Sequence, residues 1–257
     1  MLDHKPETGP EVIAAKEATA DNVFAVAARY VSRLREQEVG VIAQAGRALA
    51  GRLLGGGTVW VFGTGHSRAV AMELAGRAGG LSAMKELVLE DLVASGWATK
   101  EDFVSGELER RPEAAPALLQ GVVLGAADAF VVISHSGCNG APVEMGLQAA
   151  GRGLPVIAVT SLEHSRTVRS RHPSGSRLFE IATISIDTGA PYADTAVRLG
   201  PGPGGLEGPG GPGGLGVCSV SSFAGILVAQ ALTAEIVGCY LQEGVAPPLL
   251  VSRNLPT

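Results

Sequence analysis

Residues 58–67 read TVWVFGTGHS. The run Thr58–Phe62 is short, apolar and rich in β-branched and aromatic side chains, and GTGHS at 63–67 follows it directly. From Arg68 to Ala78 the apolar residues take helical spacing, so the stretch reads as strand, turn, helix. The unit recurs. Ala129–Ile133 is a second apolar strand, followed by SHSGCNGAP and a helix over 143–151. Leu154–Val159 leads into TSLEHS, and Ala182–Ile186 leads into DTGAP. A weaker strand falls within Leu81–Leu89, ahead of Glu90, and Leu249–Val251 is too short to assign. Apolar strands of this length alternating with helices predict a parallel sheet of about five strands covered on both faces, a three-layer α/β sandwich. In such a sheet the ligand crevice lies beyond the carboxyl ends of the strands. The segments there are small, hydroxylic and rich in His.

The flanking regions fit one domain over 20–254. Residues 1–19 read as a flexible tail. Residues 20–54 are helical, with Val23, Val26, Ala27, Tyr30, Val31 and Leu34 on one face and a break or cap at Thr19 or Asp21. The tract at 200–216, GPGPGGLEGPGGPGGLG, lacks a G-X-Y period and reads as a mobile surface loop, with a lid as the functional alternative. Phe223–Leu241 approaches a membrane span in length. It contains Gln230 and Glu235 and lacks flanking Lys or Arg, so a buried helix is expected, with Glu235 as a paired core charge.

Composition narrows the function. Hydrophobic residues make up 46% of the 257 and the net charge is −5, which excludes a wholly disordered chain and leaves no basic stripe for nucleic acid. Three widely spaced cysteines (138, 218, 239) form no disulfide framework, and the N-terminus has no apolar signal core. A cytoplasmic protein with no membrane partner is expected.

In GTGHS the glycines allow a ligand close to the backbone, the following helix offers free N–H groups, and Ser67 adds a hydroxyl or caps the helix. A dinucleotide fingerprint needs glycine where Arg68 stands. A nucleophile elbow would use Gly65-His66-Ser67-Arg68-Ala69, but no His follows residue 172 to complete a triad in the usual order. In SHSGCN, Ser134 and Ser136 beside a helix N-terminus make a nest of neutral donors suited to a small phosphate ester. Thr160 and Ser161 extend the polar rim. His66, His135, His164 and His172 all fall in loops after strands, open to ring-opening chemistry, phosphate contact or a metal. Metal spacing is poor, so neither a metal nor another cofactor is expected. Arg166, Arg169 and Arg171 form an outer positive field or plain soluble surface.

GTGHS at 63–67, S-x-S-G-x-N at 134–139 and PVIAVTS at 155–161 together resemble the SIS (sugar isomerase) family. RAGG (77–80), the stretch 157–175, PYAD (191–194) and APPLLVS (246–252) bring the chain closest to an uncharacterised bacterial group of SIS-domain, phosphosugar isomerase-like proteins. The resemblance implies a flavodoxin-like SIS fold and a sugar-phosphate ligand. It places the phosphate on Ser134, Ser136, Gly137 and Asn139, with the backbone of His135, and sugar hydroxyls on Gly65, His66 and Ser67. It also implies an aldose–ketose isomerase in which a Glu shuttles the proton and a His, here His164, opens the ring. Such a proton transfer needs a carboxylate beside the substrate. Glu90 is the leading candidate because it follows the second strand, next to the first turn. Glu73 is the second, because MELAGR (72–77) resembles a phosphoheptose isomerase pattern. A homodimer or homotetramer is implied. The alternatives are a lyase resembling N-acetylmuramic acid 6-phosphate etherases and a non-catalytic phosphosugar sensor. Residues 1–54 are too short for a helix-turn-helix domain plus a packing helix, which argues against a transcriptional regulator.

Overall fold

The computed structural model of the chain describes residues 18–198, 216–252 and Asn254. The expected tail up to residue 17 and the tract over 200–215 lie outside the described residues.

Five parallel strands form one sheet: β1 (Val59–Gly63), β2 (Met84–Leu87), β3 (Ala129–Ile133), β4 (Val156–Thr160) and β5 (Ile184–Asp187). Their spatial order is β2-β1-β3-β4-β5. Growth of the sheet reverses between β1 and β3, and such a reversal opens a crevice beyond the strand ends. The strands read as unbroken apolar runs because helices cover both faces. Val59, Val61, Val131, Ile133, Ile157 and Val159 face one core layer. Phe62, Phe130, Val132, Val156 and Ala158 face the other.

The first layer is built by α1 (Ala20–Gln37), α2 (Val39–Leu54), α3 (Arg68–Leu74) and, near the end of the chain, α10 (Ser221–Gln242). Thr19 caps α1 by accepting from the Asn22 N–H at 3.3 Å. The expected cap at Thr19 is present, and a further break, not expected, falls at Glu38. Glu38 accepts a hydrogen bond from the Asp187 N–H at 3.1 Å, which ties the bend to the end of β5. α10 is long and apolar enough to cross a membrane by length and composition alone. Its Ala224, Val228, Leu232 and Ile236 instead lie in the core cluster shared with α2 and α3. Glu235 is half-buried and makes no ion pair among the described residues, contrary to the paired core charge expected.

The second layer holds α4 (Glu90–Ala94), α5 (Lys100–Val104), α6 (Ala114–Leu119), α7 (Gly140–Ala150) and α9 (Leu178–Ile181), while α8 (Leu162–Thr167) follows β4. The short helices between β2 and β3 have no clear periodicity in the sequence, yet they wall one side of the crevice. An antiparallel hairpin, β6 (Thr195–Arg198) with β7 (Gly216–Ser219), was also not expected from the sequence.

Candidate functional site

At the end of β1 the chain turns through Gly63–Ser67 into α3. The Ser67 N–H donates to the Thr64 carbonyl at 3.1 Å, closing a 3-10 turn, and the Ser67 side chain makes no cap hydrogen bond. Gly65 has φ +54, and a Cβ there would sit 3.2 Å from Glu109 Oε2. A side chain at 65 would therefore be strained and would crowd that carboxylate. His66 is exposed and Ser67 half-buried.

The second loop is more extensively hydrogen-bonded. Ser134 is buried and its Oγ accepts from the Gly137 N–H at 3.2 Å. Gly137 has φ +58, and a Cβ would meet Ser165 Oγ at 2.9 Å and Thr160 Oγ1 at 3.1 Å. The Gly137 carbonyl accepts from the Leu178 N–H at 2.8 Å. Ser136 Oγ lies on the Cys138 thiol at 3.2 Å. The eleven-residue helix α7 follows with Asn139 at its N-cap and no side-chain cap hydrogen bond. The Asn139 amide is turned outward: Nδ2 donates to Glu109 Oε1 at 3.0 Å and Oδ1 accepts from Arg171 Nη1 at 2.7 Å. The Arg171 N–H also donates to the Cys138 carbonyl at 2.9 Å, so of the expected outer arginines Arg171 reaches the loop.

Thr160 and Ser161 are fully buried. Thr160 Oγ1 donates to the His135 carbonyl at 3.2 Å. Ser161 Oγ donates to the Ala190 carbonyl at 2.6 Å and accepts from the His164 N–H at 3.0 Å. In this arrangement both hydroxyls hold the loops together and present no surface to a ligand. The His135 carbonyl, which also accepts from the Ser161 N–H at 3.1 Å, is likewise engaged by the end of β4.

The histidines separate. The His135 ring packs against His164 with centroids 4.6 Å apart, and His164 stacks on Tyr192 at 5.0 Å. Both His135 ring nitrogens are buried without a partner. Burial lowers the His135 pKa. Burial, and then the neighbouring His135, lowers that of His164 to about 4. Both rings are therefore neutral at pH 7. His172 is bound away from them, with Nε2 on Glu144 Oε2 and Nδ1 on Ser174 Oγ, each at 2.8 Å. Among the described residues no three His, Cys, Asp or Glu side chains converge as metal ligands.

Beside the β1 turn, against the start of α4 and the turns after α5, lies a cleft of about 180 Å³ lined by Gly65, Arg68, Glu90, Phe103 and Glu109, among others. That is below the ~300–1,000 Å³ usual for drug-sized ligands, and it suits a small metabolite better than a dinucleotide. Arg68 pairs with both Glu90 and Glu86. The other Glu90 oxygen, Oε2, is buried with no partner. Glu73 is outside the lining: it pairs with Arg77 and accepts from Gln230 of α10. Glu109 was missed in the sequence because it follows no strand and arrives on the short turns after α5. Asp194 was also missed. It accepts from the Val220 N–H at 3.1 Å and the Ser221 N–H at 2.6 Å, capping α10 from the PYAD segment.

These features define an open parallel α/β protein with a small polar crevice beyond the carboxyl ends of β1 and β2. A family model described as SIS domain matches residues 23–161. A UPF0309 protein of Halalkalibacterium halodurans is 32% identical over 227 residues, 88% of each chain. One from Listeria monocytogenes is 34% identical over 232 residues, 90% of this chain and 89% of the relative. The chain belongs to the SIS-domain family and groups there with the UPF0309 proteins. Among solved structures, the phosphoheptose isomerase of Neisseria gonorrhoeae is similar in fold, with TM-score 0.53, 16% identity, and coverage of 84% of this chain and 95% of that one. A phosphoheptose isomerase from Francisella tularensis gives the same TM-score of 0.53 and the same 16% identity, over 85% and 96% of the two chains.

Proposed function

We propose that the chain binds a sugar phosphate in the crevice between the β1 turn and the β3–α7 loop, and interconverts its aldose and ketose forms. The observation that carries this is the start of α7. An eleven-residue helix begins without a side-chain cap, next to a glycine at φ +58 and two serines, with the Arg171 guanidinium alongside. Backbone N–H groups at a helix start attract an anion, and a nearby guanidinium adds fixed positive charge. The adjoining cleft is small and carries carboxylates, as a polyhydroxylated substrate undergoing proton transfer requires. Two solved proteins of similar fold are phosphoheptose isomerases, which makes sugar phosphates the class to test first.

In this proposal Ser134, Ser136, Gly137 and the α7 amides hold the phosphate, and Gly65, His66 and Ser67 meet the sugar hydroxyls. In this reading the neutral His164 assists ring opening as a donor: its Nδ1 accepts from the Ala193 N–H at 3.2 Å, so the ring proton sits on Nε2. Glu90 lines the cleft and Glu73 does not. The unit that works is the single domain over 20–254, as a cytoplasmic homodimer or homotetramer. A thermal-shift panel of five-, six- and seven-carbon sugar phosphates, each beside its unphosphorylated sugar, tests the proposal. At least one phosphate ester raises Tm while its parent sugar does not. Stabilisation by parent sugars alone would refute it.

A further inference from the structure

The sequence points to Glu90 and Glu73 as proton carriers, but the structure points to a carboxylate that sequence reasoning did not reach. We propose that Glu109 carries the proton between the two reacting carbons, with Asn139 as its positioning residue. The inference rests on the sugar-phosphate function proposed above.

Glu109 is the side chain that joins the two loops. Its Oε1 accepts from Asn139 Nδ2 at 3.0 Å, at the start of α7. Its Oε2 lies beside Gly65, where a Cβ would come to 3.2 Å. Glu109 thus lines the cleft beside Gly65 while its other oxygen is held by the residue that begins α7, next to the proposed phosphate site.

A proton carrier needs one oxygen fixed and the other open to substrate. Glu109 meets both conditions. Among the described residues Oε2 has no hydrogen-bond partner, and no cation lies within ion-pair distance. Its sequence neighbours are engaged elsewhere, Arg110 with Glu107 and Arg111 with Asp102. The rival carboxylates are ion-paired. Glu90 also has one unpartnered oxygen, but that oxygen is buried and the other is bound to the Arg68 cation; Glu73 is bound to Arg77 and Gln230. The orientation of Asn139 is fixed as well. An amide oxygen cannot donate, and Arg171 donates to Oδ1 at 2.7 Å, so Nδ2 is the group presented to Glu109. The asparagine of the S-x-S-G-x-N loop thus aims a carboxylate rather than capping its helix.

The step balances as follows. Glu109 removes the C2 proton of the open-chain aldose phosphate. The C–H pair becomes the C1–C2 double bond, and the carbonyl π pair moves to O1, which takes a proton from water. In the second half the O2 hydroxyl returns a proton to water, its electrons reform a carbonyl at C2, and Glu109 delivers its proton to C1.

The experiment measures deuterium incorporation from D₂O into the best-stabilising sugar phosphate of the panel, with its Kd, for wild type, Glu109→Gln, Glu109→Asp and Asn139→Ala. Exchange falls at least 100-fold in Glu109→Gln while Kd stays within threefold, and Glu109→Asp recovers part of the rate. Asn139→Ala lowers kcat about tenfold with KM within threefold. If wild type binds and exchanges but Glu109→Gln exchanges within threefold of it, the Glu109 assignment is overturned and the sugar-phosphate function stands. If both Glu109 variants lose Tm and exchange to the same degree, the residue is structural and the assignment is overturned. Binding without exchange in wild type overturns the isomerase step and Glu109 with it. No binding by any sugar phosphate overturns the function itself.

Discussion

At the amino end of the sheet, Asp128 sits beneath β3 with both carboxylate oxygens engaged. Oδ1 accepts from the Thr58 N–H at 2.8 Å, and Oδ2 from Trp60 Nε1 at 2.9 Å and the Gly125 N–H at 3.0 Å. Burial pushes its pKa up, but the three donors outweigh it and the net shift is downward. At the carboxyl end, Glu90 Oε2, both ring nitrogens of His135 and Ser165 Oγ are buried without partners. Those are all the unpartnered buried side-chain atoms found among the described residues, and each lies after a strand. Buried polar groups are normally satisfied, and exceptions concentrate where function competes with stability. The same sheet thus has one end closed for stability and one end left polar and unsatisfied.

The largest expected effect tests the closed end. Asp128→Ala leaves three N–H groups without their acceptor and lowers unfolding free energy by about 4 kcal/mol. Chemical denaturation measures it, and the Kd for a sugar phosphate, measured on the folded variant, stays within twofold. A loss under 1 kcal/mol would break the contrast. Next, Ser134→Ala with Ser136→Ala weakens sugar-phosphate binding about 30-fold, equivalent to ~2 kcal/mol. Unchanged affinity by calorimetry would remove the loop from the site.

A pH series sharpens the contrast further. His164 has a folded pKa of about 4 against an ordinary 6.5, so the unfolded chain binds more protons between those values. Stability is therefore complete above pH 6.5 and declines as pH falls toward 4. The lowered Asp128 adds its loss only below the ordinary carboxylate value of 3.8. Tm by calorimetry shows the first decline between pH 6.5 and 4, and His164→Asn reduces it, leaving the part that His135 contributes. A wild-type Tm that is level over that window contradicts the buried neutral imidazole pair. The smallest effect belongs to Ser165→Ala, which removes an unsatisfied hydroxyl. It changes stability by less than about 1 kcal/mol, toward the stable side, and a loss above 2 kcal/mol would show that Oγ has a partner.

The sheet was legible because buried parallel strands must be continuous apolar runs, as in Ala129–Ile133, and because small residues have to follow them where the crevice lies. The helix Ser221–Gln242 was legible from its unbroken apolar length. The bend at Glu38 was not, since the nearby Gly40 is taken into α2 and the Glu38 carboxylate bonds to Asp187, 149 positions away. The same applies to the site. Ser134 and Gly137 follow a strand and are visible in order. Glu109 meets Asn139 across thirty residues and Gly65 across the cleft, so only the folded chain brings them together. Thr160 and Ser161 have the right chemistry for a ligand, but local order does not reveal that the His135 and Ala190 carbonyls, on the loops after β3 and β5, already engage the two hydroxyls.

The most direct measurement is a two-dimensional amide NMR titration with a stabilising sugar phosphate and, separately, its unphosphorylated parent. The phosphate ester shifts the amide resonances of Ser136, Gly137, Asn139, Gly140 and Ala141, and the parent sugar leaves them in place. Equal shifts from both ligands, or shifts confined to α1 and α2, would contradict a phosphate site at the start of α7.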